Sequence, residues 1–173
     1  MIDLPLVLSP LTPADLPAID RLDARAFGPG RFARSAYRLR EGAEPVFALS
    51  FTARVGTLLV GANRMTGIAC GGAPALLLGP LTVEPAFRNR GIGAALLARS
   101  LETALARDHQ LVLLIGDLPY YQRFGFRQVP HARLTMPGPV DPSRLLYREL
   151  AEDAFAGVNG AVTGSARKSP IPS

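Results

Sequence analysis

Arg88-Asn89-Arg90-Gly91-Ile92-Gly93 stands between an apolar run ending in Leu81-Thr82-Val83 and an apolar-periodic stretch beginning at Ala94. The order reads as strand, tight glycine turn, helix. A helix start leaves its first N–H groups without intrahelical acceptors, and the helix dipole adds positive potential there. The turn is therefore an anion site, and its arginines suit phosphate. Which phosphate is narrowed by what the turn lacks. A P-loop needs lysine followed by serine or threonine after its second glycine, and this chain has Ala94-Ala95. A dinucleotide fingerprint needs a third glycine where Leu96 stands. Neither accounts for an arginine three positions ahead of the first glycine.

Working outward, Ile92, Leu96, Leu97, Leu101, Ala104 and Leu105 recur at helical spacing and predict an amphipathic helix from Gly91 to about Arg107. Upstream, Ala75 to Val83 is an apolar strand interrupted by Gly79-Pro80, which a strand tolerates only at an edge or a bulge. Leu111 to Ile115 is short and wholly apolar, as a central strand buried on both faces requires, and the helix would carry the chain to it as a right-handed parallel crossover. A short helix over Leu118 to Phe124 and a strand over Gly125 to Gln128 follow. Arg144 to Leu150 is read as the last strand.

Nearer the N-terminus, Leu6-Val7-Leu8 is a first strand, and Thr12-Pro13-Ala14-Asp15 opens a helix with Thr as N-cap, Pro at N1 and an acid at N3. Gly28-Pro29-Gly30 ends that helix, and a second is predicted over Phe32 to Arg40. Val46 to Thr52 and Thr57 to Ile68 read as antiparallel strands joined by Ala53-Arg54-Val55-Gly56, with a further turn at Gly71 to Pro74.

With 173 residues, 48% of them hydrophobic, the chain has material for one core. One domain is expected over 1–155, and 156–173, small and polar, is read as a disordered tail. No run approaches the roughly 18 apolar residues of a membrane span, and Met1-Ile2-Asp3 lacks a basic signal region, so a cytoplasmic protein is expected. Cys70 is the single cysteine; it excludes an internal disulfide, and with only His109 and His131 beside it no metal site is expected. The charge is +5, from scattered arginines with Lys168 the one lysine. Without basic blocks or interleaved aromatics, neither a nucleic acid nor a membrane is an expected partner.

The Arg-x-x-Gly-x-Gly turn, the disturbed strand before it, the helix after it and Tyr121-Gln122-Arg123-Phe124-Gly125-Phe126 together resemble the Gcn5-related N-acetyltransferase (GNAT) family. Gly79-Pro80-Leu81-Thr82-Val83 with Gly116-Asp117 and Tyr120-Tyr121 is most similar to its bacterial YhbS-like subgroup. The resemblance implies an α/β (α+β) fold: a mixed, mostly antiparallel central sheet with a splayed parallel strand pair and flanking helices. It implies an acyl-CoA-dependent N-acyltransferase that moves the acetyl group of acetyl-CoA, its co-substrate, to a primary amine.

On the same resemblance, Arg88, Asn89, Arg90, Gly91, Ile92, Gly93 and Ala94 hold the pyrophosphate, although a solvated loop face stays open for the two arginines. Main-chain groups of Leu81 and Val83 hold the pantetheine arm, with the side chains of Leu81, Thr82 and Val83 as packing. Tyr121 is the general acid for the leaving thiolate, against a plain packing role. Tyr120 lines the acceptor pocket or packs. The family's base position is Leu77 here, so none carries over. Asp20, Asp23, Glu84 and Asp117 are candidates by charge, set against a solvated helix face for the first two, a strand-end surface for Glu84 and a helix cap for Asp117, and proton loss through water alone is equally open. Without an activated nucleophile, attack within a ternary complex is expected. Arg31, Arg34, Arg38 and Arg40 raise an acidic acceptor as an option, behind the plainer reading of a solvated helix face. A homodimer is compatible with the resemblance, and a non-catalytic acyl-CoA-binding regulatory or interaction protein is the alternative.

Overall fold

The computed structural model describes residues 5–28 and 35–164. Nine strands alternate with short helices: β1 (Leu6–Pro10), β2 (Phe51–Val55), β3 (Leu58–Cys70), β4 (Ala73–Val83), β5 (Leu111–Ile115), β6 (Arg127–Gln128), β7 (Leu134–Thr135), β8 (Leu145–Glu149) and β9 (Gly160–Gly164). The helices are α1 (Leu16–Phe27), α2 (Ser35–Arg40), α3 (Ile92–Ala106) and α4 (Leu118–Tyr121). In space the sheet runs β1-β2-β3-β4-β5-β8-β6, with β9 joining β3 and β7. Pairing is antiparallel except in β4–β5 and β7–β9. This is the expected mixed sheet, with the parallel pair β4–β5 spanned by α3.

Period-two alternation explains why both faces of the centre are covered. Leu76, Leu78, Val112 and Leu114 pack beneath α3 with Leu97 and Leu101. Their sequence neighbours Ala75, Leu77, Leu111 and Leu113 pack on the opposite face with Leu39, Tyr147 and Phe155. Each fully buried Leu or Val contributes about 1.5–3 kcal/mol, so the sheet centre anchors everything at its rim. On α3, Leu105 is 51% exposed while Ser100 is buried. Ser100 donates to the carbonyl of Leu49 and accepts from Asn63, which is why a polar residue occupies the apolar stripe and Leu105 does not.

The β4–β5 ladder is short. It holds only at Leu76 with Val112 and Leu77 with Leu113. Opposite β3, β4 carries one extra residue between Leu78 and Leu81, where Gly79-Pro80 sits. Beyond that bulge β4 continues with β3, and its edge facing β5 is open.

Three expectations change. Val46 to Leu49 is not strand: Phe47–Leu49 is a 3-10 turn, because Ser50 donates to the carbonyl of Val46 and accepts from the N–H of Met65. Strand β2 therefore begins at Phe51 and runs to Val55, with the reversal at Gly56-Thr57. In the second helix only Ser35–Arg40 is described; residues 32–34 lie outside the described residues. The tail reading fails at its near end, since β9 pairs with β3 at Ile68, Ala69 and Cys70 and buries Val162. Strand β2 covers that edge of β3 only as far as Asn63. The backbone left over recruits a segment too poor in apolar residues to announce itself. Residues 165–173 lie outside the described residues.

Candidate active site

Two hollows flank the open edge of β4. One lies at the start of α3, a cavity of about 500 Å³ lined by Val83, Phe87, Arg88, Asn89, Gly91, Ile92, Gly93, Ala94, Tyr120 and Arg123. The first helical bond here runs from the N–H of Ala95 to the carbonyl of Gly91, so the N–H groups of Ile92, Gly93 and Ala94 precede the ladder. Gly91 is the N-cap at φ +79°, a left-handed conformation that other residues enter at a cost. A Cβ on Gly93 would sit 3.5 Å from the Tyr120 hydroxyl and 3.6 Å from Val83, occupying the cradle's floor. Arg88 lines this hollow. Arg90 lies over the Phe87 ring at 5.1 Å and is not part of the lining.

Sequence reasoning passed over Arg123 as a cradle residue. It stacks over Tyr120 at 4.8 Å and Phe124 at 5.4 Å; the three-residue spacing from Tyr120 in a helical turn was its available signal. Tyr120 itself faces the cradle rather than the other hollow.

That other hollow, of about 790 Å³, reaches from α1 and α2 across Gly79, Pro80 and Leu81 to Gly116, Asp117 and Tyr121. Tyr121 packs edge-on against Tyr120 and Phe126. Burial first, then the neighbouring Tyr120 and Asp117, push its phenol up to about 12, because each disfavours the phenolate. It keeps its proton at neutral pH. Gly116 makes room for it: a Cβ there would stand 2.4 Å from the Tyr121 ring. Asp117 occupies the N-cap position of α4 without a side-chain cap bond. Its carboxylate pairs instead with Arg144, which corrects the capping role.

Asp23 and Asp20 were read as a solvated face, and only Asp20 is one. Asp23 is 6% exposed and accepts from the Thr82 hydroxyl at 2.7 Å. Arg64 contacts Asp20 at 2.9 Å and Asp23 at 3.4 Å. Burial raises the Asp23 carboxyl above its ordinary range against the lowering effects of Thr82 and Arg64. Thr82 thus does more than pack. Glu84 pairs with Arg25 at 2.7 Å and lines neither hollow. Leu77 is fully buried in the far core, so the family's base position faces no cavity. Of the arginines on α2, Arg38 donates to the carbonyl of Pro137 and Arg40 to that of Gly79; Arg31 and Arg34 lie outside the described residues. Cys70 is buried at the end of β3, its thiol pushed up to about 11 by burial. It lines neither hollow.

The sequence and the fold that carries these two hollows have counterparts among known proteins. Residues 49–128 match the family described as "Acetyltransferase (GNAT) domain". The N-acetyltransferase YhbS of Escherichia coli K12 is 30% identical over 152 residues, covering 87% of this chain and 90% of YhbS. YjhQ of the same strain, also named as an N-acetyltransferase, is 31% identical over 117 residues, 65% of each chain. The crystal structure of Escherichia coli YhbS in complex with CoA superposes with a TM-score of 0.79 at 26% identity, covering 95% of this chain and 92% of that one. A GNAT acetyltransferase of Brucella melitensis in complex with acetyl-CoA shares the fold, with a TM-score of 0.60 at 23% identity, covering 88% of this chain and 99% of that one. By sequence and by fold, the chain belongs to the GNAT family of acyl-CoA-dependent N-acetyltransferases.

Proposed function

We propose that this chain transfers the acetyl group of acetyl-CoA directly to a primary amine inside one ternary complex. The observation that carries the reading is the placement of the two hollows on either side of the open β4 edge, one offering phosphate donors, the other Tyr121. The residues fit the co-substrate. N–H groups of Ile92 to Ala94 with Arg88 and Arg123 suit its pyrophosphate, and the main chain of Leu81 to Val83 suits a pantetheine amide in the gap. A main-chain N–H at the bulge would stabilise negative charge growing on the thioester oxygen.

Tyr121 then acts as general acid, giving its phenolic proton to the sulfur as the C–S bond breaks. Its raised proton affinity keeps that proton available. Cys70 is excluded from a covalent route by burial on the far face and by a thiol that stays protonated. The CoA complex of YhbS and the acetyl-CoA complex from Brucella melitensis support the donor. For the acceptor, an Arabidopsis Naa50 structure holds a CoA–peptide bisubstrate analogue on the same fold, at a TM-score of 0.58 and 19% identity, which supports only the fold.

The test is thiol release from acetyl-CoA over a panel of amines, with Tyr121→Phe beside the wild type. Amine-dependent release that the variant loses while still binding CoA supports the reading. CoA binding without release on any amine would favour the regulatory alternative.

A further inference from the structure

Transfer to an amine needs a receiver for the ammonium proton, and the family's own position for one is filled by a buried leucine. We propose that Asp23 receives the acceptor's ammonium group and takes its proton, in a cavity suited to primary alkylammonium ions that carry no carboxylate beside the reacting nitrogen; the proton-transfer half rests on the transferase reading above.

Placement comes first. Asp23 projects from α1 against β4, and Thr82, which holds it, lies just past the bulge at Gly79-Pro80. Asp23 and Tyr121 line the same cavity, so base and acid face one space. The two oxygens of Asp23 differ. Oδ1 accepts the short Thr82 bond, whereas among the described residues the hydrogen bond to Oδ2 comes from Arg64, at a loose 3.4 Å. A carboxylate oxygen has acceptor capacity beyond one such contact, and Oδ2 is the atom with room for an ammonium donor.

Charge points the same way. Although the chain is +5 overall, among the described residues the cavity wall carries five carboxylates against three arginines. The arginines are engaged: Arg64 between Asp20 and Asp23, Arg144 with Asp117, Arg40 on the carbonyl of Gly79. A cation is welcome there. A carboxylate beside the amine would meet like charge.

The step balances. One N–H bond of the ammonium breaks and its proton goes to Oδ2 of Asp23. The freed nitrogen lone pair forms the C–N bond to the thioester carbon, and the C–S bond breaks with its electron pair on sulfur. Tyr121 protonates that sulfur, the second nitrogen proton restores the phenol, and Asp23 releases its proton to water. The groups that set the titration of Asp23 are Asp20 on its own helix, Arg64 on β3, Arg40 on α2 and the Thr82 hydroxyl on β4.

Asp23→Asn preserves an Oδ1 acceptor for Thr82 and hence the tie between α1 and β4. Two readouts are taken on the full chain: titration of the CoA-bound protein with n-butylamine and with norleucine, and acetyl-CoA turnover with n-butylamine from pH 5 to 10. The wild type is expected to favour n-butylamine at least about tenfold. Asp23→Asn should lower kcat/KM about 100-fold and abolish the acidic limb of its pH profile. Thr82→Val should move that limb to higher pH, because the lost hydroxyl stabilises the carboxylate; Asp20→Asn should keep the limb. CoA affinity, unchanged in Asp23→Asn, reports the fold. Equal n-butylamine binding by Asp23→Asn and wild type, or an acidic limb intact in Asp23→Asn, overturns the proposal. Binding that depends on Asp23 with no thiol release overturns the transferase reading instead and leaves the anchor role standing.

Discussion

The hollows on the two sides of β4 are opposite in kind. The cradle is made mostly of main chain, with donors supplied by a helix start and two exposed arginines, and its side chains Arg88 and Arg123 are interchangeable in charge. The larger cavity is made of side chains gathered from α1, α2, β3, β4 and α4, and several of its charges are paired, Arg64 with Asp20 and Asp23 and Arg144 with Asp117. Backbone donors recognise any polyphosphate of the right reach, so the cradle can be common to a family. Paired side chains recognise one shape and charge, so the cavity is where this chain becomes particular.

Substitutions can break that contrast. The largest effect is expected from Tyr121→Phe, with kcat down about 100-fold and CoA affinity nearly unchanged, measured by steady-state kinetics and titration calorimetry. A matching fall in CoA affinity would move Tyr121 from chemistry to the cradle. Gly116→Ala follows. Its methyl would intrude at 2.4 Å on the Tyr121 ring, so the ring must shift, at about 1–3 kcal/mol; a lower melting temperature and a kcat loss of about tenfold are expected together.

Arg88→Ala and Arg123→Ala should each raise the KM for acetyl-CoA by about tenfold with kcat kept, since each removes a charge-assisted contact worth about 1.5–3 kcal/mol. The penalty should shrink as salt rises. Arg90→Ala, with the guanidinium over Phe87, should fall short of either, which sharpens the limit of the cradle. The pH profile adds a check. Because burial raises the Tyr121 phenol to about 12, the proton donor survives well past the ordinary tyrosine range, and wild-type activity should show no loss from Tyr121 ionisation below about pH 11. Smallest of all, Cys70→Ala should leave turnover unchanged.

The strand pair, the bulge and the crossover helix were legible because each is written in local pattern: continuous apolar runs in β4 and β5, proline in a strand, period 3.6 in α3. One part of the smaller hollow, between Phe87 and Ala94, is contiguous in sequence, whereas Tyr120 and Arg123 join it from another segment. The larger cavity was not legible. Asp23 meets Arg64 and Thr82, 41 and 59 residues away; its spacing from Ile19 and Ala26 sets it on the apolar stripe of α1, but the helix does not name those partners. Arg64 on β3 gave no hint of joining them. The turn at Phe47–Leu49 hides in the sequence because an apolar run, Val46 to Leu49, leads into the strand, and Ser50, which reshapes it, bonds to a strand that comes later.

Strand β9 carries a practical warning for anyone trimming the gene. Ending the chain at residue 155 would strip Ile68–Cys70 of their edge partner and take Val162 out of the core. The bared edge would invite pairing between molecules, and Cys70, inert in the intact fold, would become a target for thiol reagents. Alkylation of that one sulfur is thus a gauge of whether the C-terminal lock is shut.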